Sequence, residues 1–217
     1  PTTLSNGEVV KQDMMDLGGL EIVNSRLFEG GSIGDLYVTA LRTDSHGYID
    51  VDYVNNTVAI DNKAGERQDG WIYAGNSQAK YMMGWRNSFS WKGLTLGCLV
   101  NARIGGIVVS QTQAMMDAYG VSTATAEARD LGYVLIDGYK VPAVQKYYST
   151  VGSGVGSMYV YSATNVRLAE LSLGYNIPVQ KWVPWIQGMN VAFTGRNLLM
   201  FYCKAPFDPE LTASTGT

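Results

Sequence analysis

From residue 81 the chain alternates apolar and polar side chains through two arms of eleven residues, joined only by Lys92-Gly93. Tyr81, Met83, Trp85, Phe89 and Trp91 fall on one face of the first arm, with Gly84, Arg86, Ser88 and Ser90 on the other. In the second arm Leu94, Leu96, Cys98, Val100, Ala102 and Ile104 oppose Thr95, Gly97, Asn101 and Arg103. A period of two broken by a tight turn predicts an antiparallel hairpin. Its arms exceed the five or six residues usual in globular sheets and match what a tilted strand needs to cross hydrocarbon.

The same pattern returns twice. At 166–175, Ala169, Leu171, Leu173 and Tyr175 oppose Glu170, Ser172 and Gly174; at 190–203, Val191, Phe193, Leu199 and Phe201 oppose Thr194 and Arg196, with Leu198 and Met200 blurring the second face. The connector 176–188 carries Trp182 and Trp185 beside Lys181, a composition favoured at membrane interfaces. Upstream, 17–23 is a short apolar patch, and 36–42 and 48–53 read as a hairpin about the turn Asp44-Ser45-His46-Gly47. The charged stretch 55–75 reads as a loop facing water. Across 105–120, Ile107, Val108, Gln111, Met115, Met116 and Ala118 follow a helical spacing that ends at Gly120, so a short helix in a long loop is expected. The segment 122–156 is turn-rich, and its Tyr133, Tyr139, Tyr147 and Tyr148 suit contact with a ligand or partner, or simple loop packing.

Only 16% of the residues are charged, against roughly 25% in ordinary soluble domains. With 46% hydrophobic residues the chain is not disordered, and 16 basic against 19 acidic residues leave no footprint for nucleic acid. No apolar run is long enough for a membrane-spanning helix, which leaves a membrane β-barrel open. Two architectures satisfy the alternation. A soluble or surface-exposed all-β binding module, for example for glycans, would bury the apolar face against a second sheet, whereas a membrane barrel turns that face outward. Strand length, low charge, and aromatic residues at the strand ends (Tyr81, Trp91, Tyr175, Phe201) favour the barrel.

The candidate chemistry is sparse. His46 is the sole histidine and sits in a turn, so neither a nucleophilic triad nor a histidine metal site can be assembled. Asp44, Asp50 and Asp52 lack calcium-loop spacing, and the glycine strings at 30–34 and 152–156 lack the ending of a phosphate loop, which leaves them as flexible loop glycines. Cys98 and Cys203 are too few for a scaffold or a zinc site. Asp and Glu far apart in the chain can converge into an acid/base pair, but nothing singles one out; no catalytic residue, metal or cofactor is assigned, and a non-enzyme is expected. Arg86, Arg103, Glu170 and Arg196 share the polar faces of the long strands, where they can form ladders across strands or contact substrate.

Several blocks in order resemble one family. Gly30-Gly31-Ser32-Ile33-Gly34-Asp35-Leu36-Tyr37, Tyr73-Ala74-Gly75-Asn76, and Gly84-Trp85-Arg86-Asn87-Ser88-Phe89-Ser90-Trp91-Lys92-Gly93 are similar to the C-terminal barrel region of SusC/RagA-type TonB-linked outer membrane proteins. Asn101-Ala102-Arg103-Ile104-Gly105-Gly106, Val166 to Tyr175 with Pro178, and Thr194-Gly195-Arg196-Asn197-Leu198 before Asp208-Pro209-Glu210 extend the resemblance over 29–210. It implies a transmembrane antiparallel β-barrel of about twenty-two strands around a plug. On this reading residues 1–217 are its C-terminal portion without the plug and the last strand. Lys92-Gly93 and 176–188 become periplasmic turns, and 105–157 a long extracellular loop. The resemblance further implies import of an oligosaccharide or peptide across the cell outer membrane, with a SusD-like surface lipoprotein above the barrel and TonB acting through the absent plug. Arg86, Arg103, Glu170 and Arg196 then face the lumen, lipid meets the opposite face, and the loop tyrosines are candidates for stacking on substrate.

Overall fold

The computed structural model describes residues 2–3, 9–10, 14–52, 54, 57–179, 185 and 188–209. The described residues divide into two compact units, one within 1–78 and 107–161 and the other within 79–106 and 162–211.

In the first unit β1 (Thr2–Thr3) pairs with β2 (Val9–Val10). Then come β3 (Met14–Leu20), β4 (Val23–Phe28), β5 (Asp35–Thr39), the short antiparallel pair β6 (Val51–Asp52) and β7 (Thr57–Val58), and β8 (Trp71–Asn76). β3, β4, β5 and β8 form one antiparallel sheet in that order. The turn at 44–47 forms as expected, with Asp44 Oδ1 accepting the backbone N–H of His46 at 2.8 Å and of Tyr48 at 2.9 Å. The strand before it takes other partners: β5 hydrogen-bonds to β4 and β8, and the expected hairpin shrinks to a single bridge between Thr43 and Ile49. Leu36 and Val38 alternate into a small core with Val23, covered by Ile72, Ala74 and Ile107, and that burial fixes the pairing. Thus 55–75 is not all loop, because β8 begins at Trp71. The glycine string at 30–34 is a fixed turn, held by Asp35 Oδ2 accepting the N–H of Ser32 at 2.8 Å.

The segment read as turn-rich is ordered. β11 (Ile107–Val109) leads into α1 (Gln111–Ala118), the helix expected there, and then into α2 (Thr123–Leu131), which was not. β12 (Val134–Ile136) and β13 (Tyr139–Val141) make a hairpin through Asp137-Gly138, both at positive φ. α3 (Val144–Gly154), one turn of 3₁₀ helix and β14 (Val160–Ser162) complete it, with β14 paired to β11. Ser110 and Ser122 cap α1 and α2 by accepting the N–H of Gln113 and of Thr125. A second core of Ile22, Val58, Ala114, Ile136, Tyr147, Val151, Val155 and Tyr159 holds these pieces. The second glycine string is therefore not flexible loop: Gly152 lies inside α3, where a Cβ would collide with the backbone of Ala114 and Ala118 in α1.

The second unit is the long-stranded sheet. β9 (Tyr81–Trp91), β10 (Leu94–Ile104), β15 (Asn165–Ile177) and β16 (Met189–Cys203) lie in the order β16-β15-β10-β9, all antiparallel. Lys92 and Gly93 both have positive φ, the geometry whose twist matches that of the flanking strands. Register confirms the shared faces, pairing Leu96 with Phe89 and Leu173, and Leu173 with Phe193. Between Leu99 and Val100 the register shifts, and Ala169 is the extra residue of β15. Leu168 and Val166 consequently join Val100 and Ala102 on the apolar face, while Arg167 moves to the polar one. β16 breaks at Asn197-Leu198 and again at Phe201, which is why Leu198 and Met200 interrupted the simple alternation. Phe201 thus sits at a break rather than in the apolar row, and Tyr202, opposite Val166, takes that place. The connector's Lys181 and Trp182 lie outside the described residues, and Trp185 is exposed.

Among the described residues the architecture is therefore mainly antiparallel β with three α-helices and one turn of 3₁₀ helix. Among the described residues the strands do not close into a ring: β9 and β16 each keep one unpaired edge. Replacing Gly152 by Ala should cost the first unit about 1–3 kcal/mol through overpacking of α1 against α3. A lowered midpoint of thermal unfolding by circular dichroism would register it, and an unchanged midpoint would contradict the packing described.

Candidate functional site

The register of the long sheet brings three of the four singled-out charges into one transverse row. Arg86 of β9 pairs with Leu99, Leu99 with Glu170, and Glu170 with Arg196. Glu170 Oε1 lies 3.8 Å from Arg86 Nη2 and its Oε2 3.7 Å from Arg196 Nε. One carboxylate thus stands between two guanidiniums. Both arginines are largely solvent-exposed, so each pair contributes little to stability, at most about 1 kcal/mol. The row's chemical property is its surplus positive charge on the polar face, presented in the fork geometry suited to carboxylate or sugar hydroxyl groups. Arg103 stands apart, paired across strands with Met82 and Asn165.

Sequence reading missed Arg167. The bulge at Ala169 turns it onto the polar face, where it is 6% exposed and its Nη1 meets Asp208 Oδ2 at 3.3 Å. The signal was present as a change of phase, with apolar residues at 166 and 168 but at 171, 173 and 175 afterwards.

The four loop tyrosines separate into different environments. Tyr139 is exposed, and Tyr133 lies under the Lys140 ammonium, 4.4 Å from the ring centroid. Tyr147 is 5% exposed, inside the core, and meets Tyr148 edge-on at 5.1 Å. The Tyr148 hydroxyl donates to the Ala124 carbonyl at 3.4 Å. Tyr159 and Asp117, which no sequence pattern marked, form a buried polar contact, with the Tyr159 hydroxyl donating to Asp117 Oδ2 at 2.9 Å. Burial, then the negative charges of Tyr148 and Asp117, push the Tyr147 phenol up to about 12; burial first and the bond to Asp117 second also raise Tyr159. His46 remains a turn residue with an exposed side chain, 3.3 Å from Ser45 Oγ. Among the described residues no three His, Cys, Asp or Glu side chains gather as a metal site, and Cys98 and Cys203 are both free thiols.

A phenol whose pKa is raised by folding stabilises the fold fully below its unfolded value near 10, and that contribution is lost as pH climbs toward the folded value. The first unit should accordingly lose stability between pH 10 and about 12, followed by melting temperature and tyrosinate absorbance together. Tyr159→Phe, which leaves both Asp117 oxygens without a donor, should cost about 1–3 kcal/mol at neutral pH.

No family model matches the chain. It is 28% identical over 139 residues to the TonB-dependent receptor P3 of Formosa agariphila, an alignment covering 63% of this chain and 13% of the receptor. In fold it is similar to part of the RagAB peptide transporter, with a TM-score of 0.56 at 17% identity, covering 84% of this chain and 22% of that one. The chain therefore spans about an eighth of the curated relative's length and under a quarter of the solved structure it matches. In sequence the chain is thus similar to part of a TonB-dependent receptor, and in fold to part of the RagAB transporter.

Proposed function

We propose that these 217 residues are a late portion of a transmembrane β-barrel in a TonB-dependent nutrient importer. The observation that carries this reading is the apolar face of the long sheet. Trp85 is 60% exposed and Phe193 73%, with Met83, Leu96 and Leu171 exposed on the same face. A soluble module would pack these side chains against a second sheet, and among the described residues none covers them. Strand length agrees: eleven residues at a rise of about 3.4 Å extend about 37 Å, and a tilt of about 45° leaves about 26 Å across the membrane. The apolar band of outer-membrane barrels is about 25 Å tall.

On this reading lipid covers the apolar face, and Arg86, Arg103, Glu170 and Arg196 line the lumen. TonB acts through a plug supplied by another part of the protein, and a SusD-like lipoprotein meets the outer loops. The substrate is an oligosaccharide or a peptide; the solved relative is a peptide transporter, and the exposed arginines suit carboxylates of peptides as well as glycan hydroxyls.

Two substitutions at neighbouring positions test the assignment of faces. Leu171→Arg should place a charge in hydrocarbon at mid-strand and destabilise the inserted protein by about 2–4 kcal/mol, whereas Ser172→Arg, on the polar face, should be tolerated. Recovery from the outer-membrane fraction and heat-modifiable mobility would read the difference. Equal behaviour of the two variants would sink the lipid-facing assignment.

A further inference from the structure

The net charge of −3 conceals a separation by sign. Segments 79–106 and 162–211, which hold the long sheet, carry eight basic residues against three acidic ones, Glu170, Asp208 and Glu210; the rest of the chain carries eight basic against sixteen acidic. At the centre of the sheet's polar face, Arg86 and Arg196 share the single carboxylate of Glu170, which leaves that row with a net positive charge. Glu170 meets both and satisfies neither. Its contacts at 3.8 and 3.7 Å exceed hydrogen-bond distance, and among the described residues neither guanidinium donates a hydrogen bond. Each guanidinium has five N–H donors, and the two side chains are 71% and 78% exposed, so those donors are open to a ligand. The next row toward Lys92-Gly93 is Ser88, Gly97, Ser172 and Thr194, and the one after it Ser90, Thr95, Gly174 and Ala192. These small side chains leave a low floor beside the arginines, with room for the body of a ligand.

We infer, on the importer reading that places this row in the lumen, that it selects an anionic substrate: a chain bearing two or more carboxylates, which take the Arg86 and Arg196 forks in place of Glu170. A planar guanidinium fork matches a carboxylate through two parallel hydrogen bonds, so two ligand carboxylates satisfy one arginine each, as the single Glu170 does not. They also answer the surplus positive charge, which a neutral oligomer of the same size leaves unbalanced. Glu170 is then a built-in competitor. It holds the two forks toward one another and, by taking them back, lets the ligand leave, as passage through an importer requires. An acidic peptide and a glycan of uronic acids carry this same chemistry.

Isothermal titration of the intact protein in detergent would test it, with tetraglutamate and tetragalacturonate as probes beside the neutral tetraglutamine and maltotetraose. At least one acidic oligomer should bind with saturation, more weakly as salt is raised, and its neutral counterpart should not. The tighter of the two acids identifies the source as peptide or glycan. Arg86→Gln and Arg196→Gln should each weaken that binding by about threefold to tenfold, whereas Glu170→Gln, which removes the competitor, should tighten it by about threefold. Heat-modifiable mobility of the same preparation tests the barrel separately: its absence counts against the importer reading, and the titrations decide the anion site in either case. Equal binding of the neutral oligomers, no saturation by either acid, or affinities unchanged in all three variants would overturn the assignment. No saturation by the wild type, with both arginine variants melting earlier, would give the row to an internal partner instead.

Discussion

Two-sided demand on the long strands governs the second unit. Each strand must place its side chains by period two and at the same time satisfy every backbone N–H and C=O. The central strands β10 and β15 meet both demands within the chain, since each has a neighbour on either side. The outer strands β9 and β16 satisfy their ladders on one side only. An unpaired backbone group costs several kcal/mol in hydrocarbon, and an exposed apolar sheet edge in water invites aggregation. Further strands at both edges and lipid over the apolar face answer both demands at once, which is the physical content of the barrel reading.

Keeping the faces distinct along thirteen and fifteen residues is harder than along eleven, and β15 and β16 do so by breaking register. Without the extra residue Ala169, Arg167 would share the face of Leu171, Leu173 and Tyr175. On the barrel reading the bulge keeps that arginine off the lipid-facing side, at a loss on the order of one ladder hydrogen bond, about 1 kcal/mol. It also delivers Arg167 to Asp208, so one local irregularity serves both the covering of the sheet and its polar contacts.

What the sequence disclosed follows from how often each pattern repeats. The hairpin 81–104 was legible because eleven residues give five cycles of alternation, and its turn residues carry their own chemistry at positive φ. β11, β12, β13 and β14, at three residues each, offer hardly more than one cycle and were unreadable. α3 was hidden for another reason: Gly152 and Gly154 each disfavour helix by about 1 kcal/mol relative to alanine, and packing against α1 overrides that preference. The charged row followed the same rule. Arg86, Glu170 and Arg196 were readable from alternation alone, Arg167 needed the bulge, and Asp117 needed the tertiary fold that brings Tyr159, 42 positions away, to its side.

The two units differ in what completes them. In the first, Ile22, Val151 and Val155 are enclosed by the unit's own residues, so its stability is settled by internal packing of the kind a single methyl group disturbs. In the second, the buried side chains include Asn165, Arg167 and Ala205, gathered at the end of the sheet away from Lys92-Gly93, while the long apolar rows remain open. Packing alone therefore cannot account for the second unit's persistence. On the barrel reading its surroundings supply the missing free energy: lipid against the tryptophans and leucines, water or substrate against the arginines, and strand neighbours along both edges. The fold of that unit is in this sense specified for an environment as much as for a shape, and the charge deficit of the whole chain is the compositional trace of that specification.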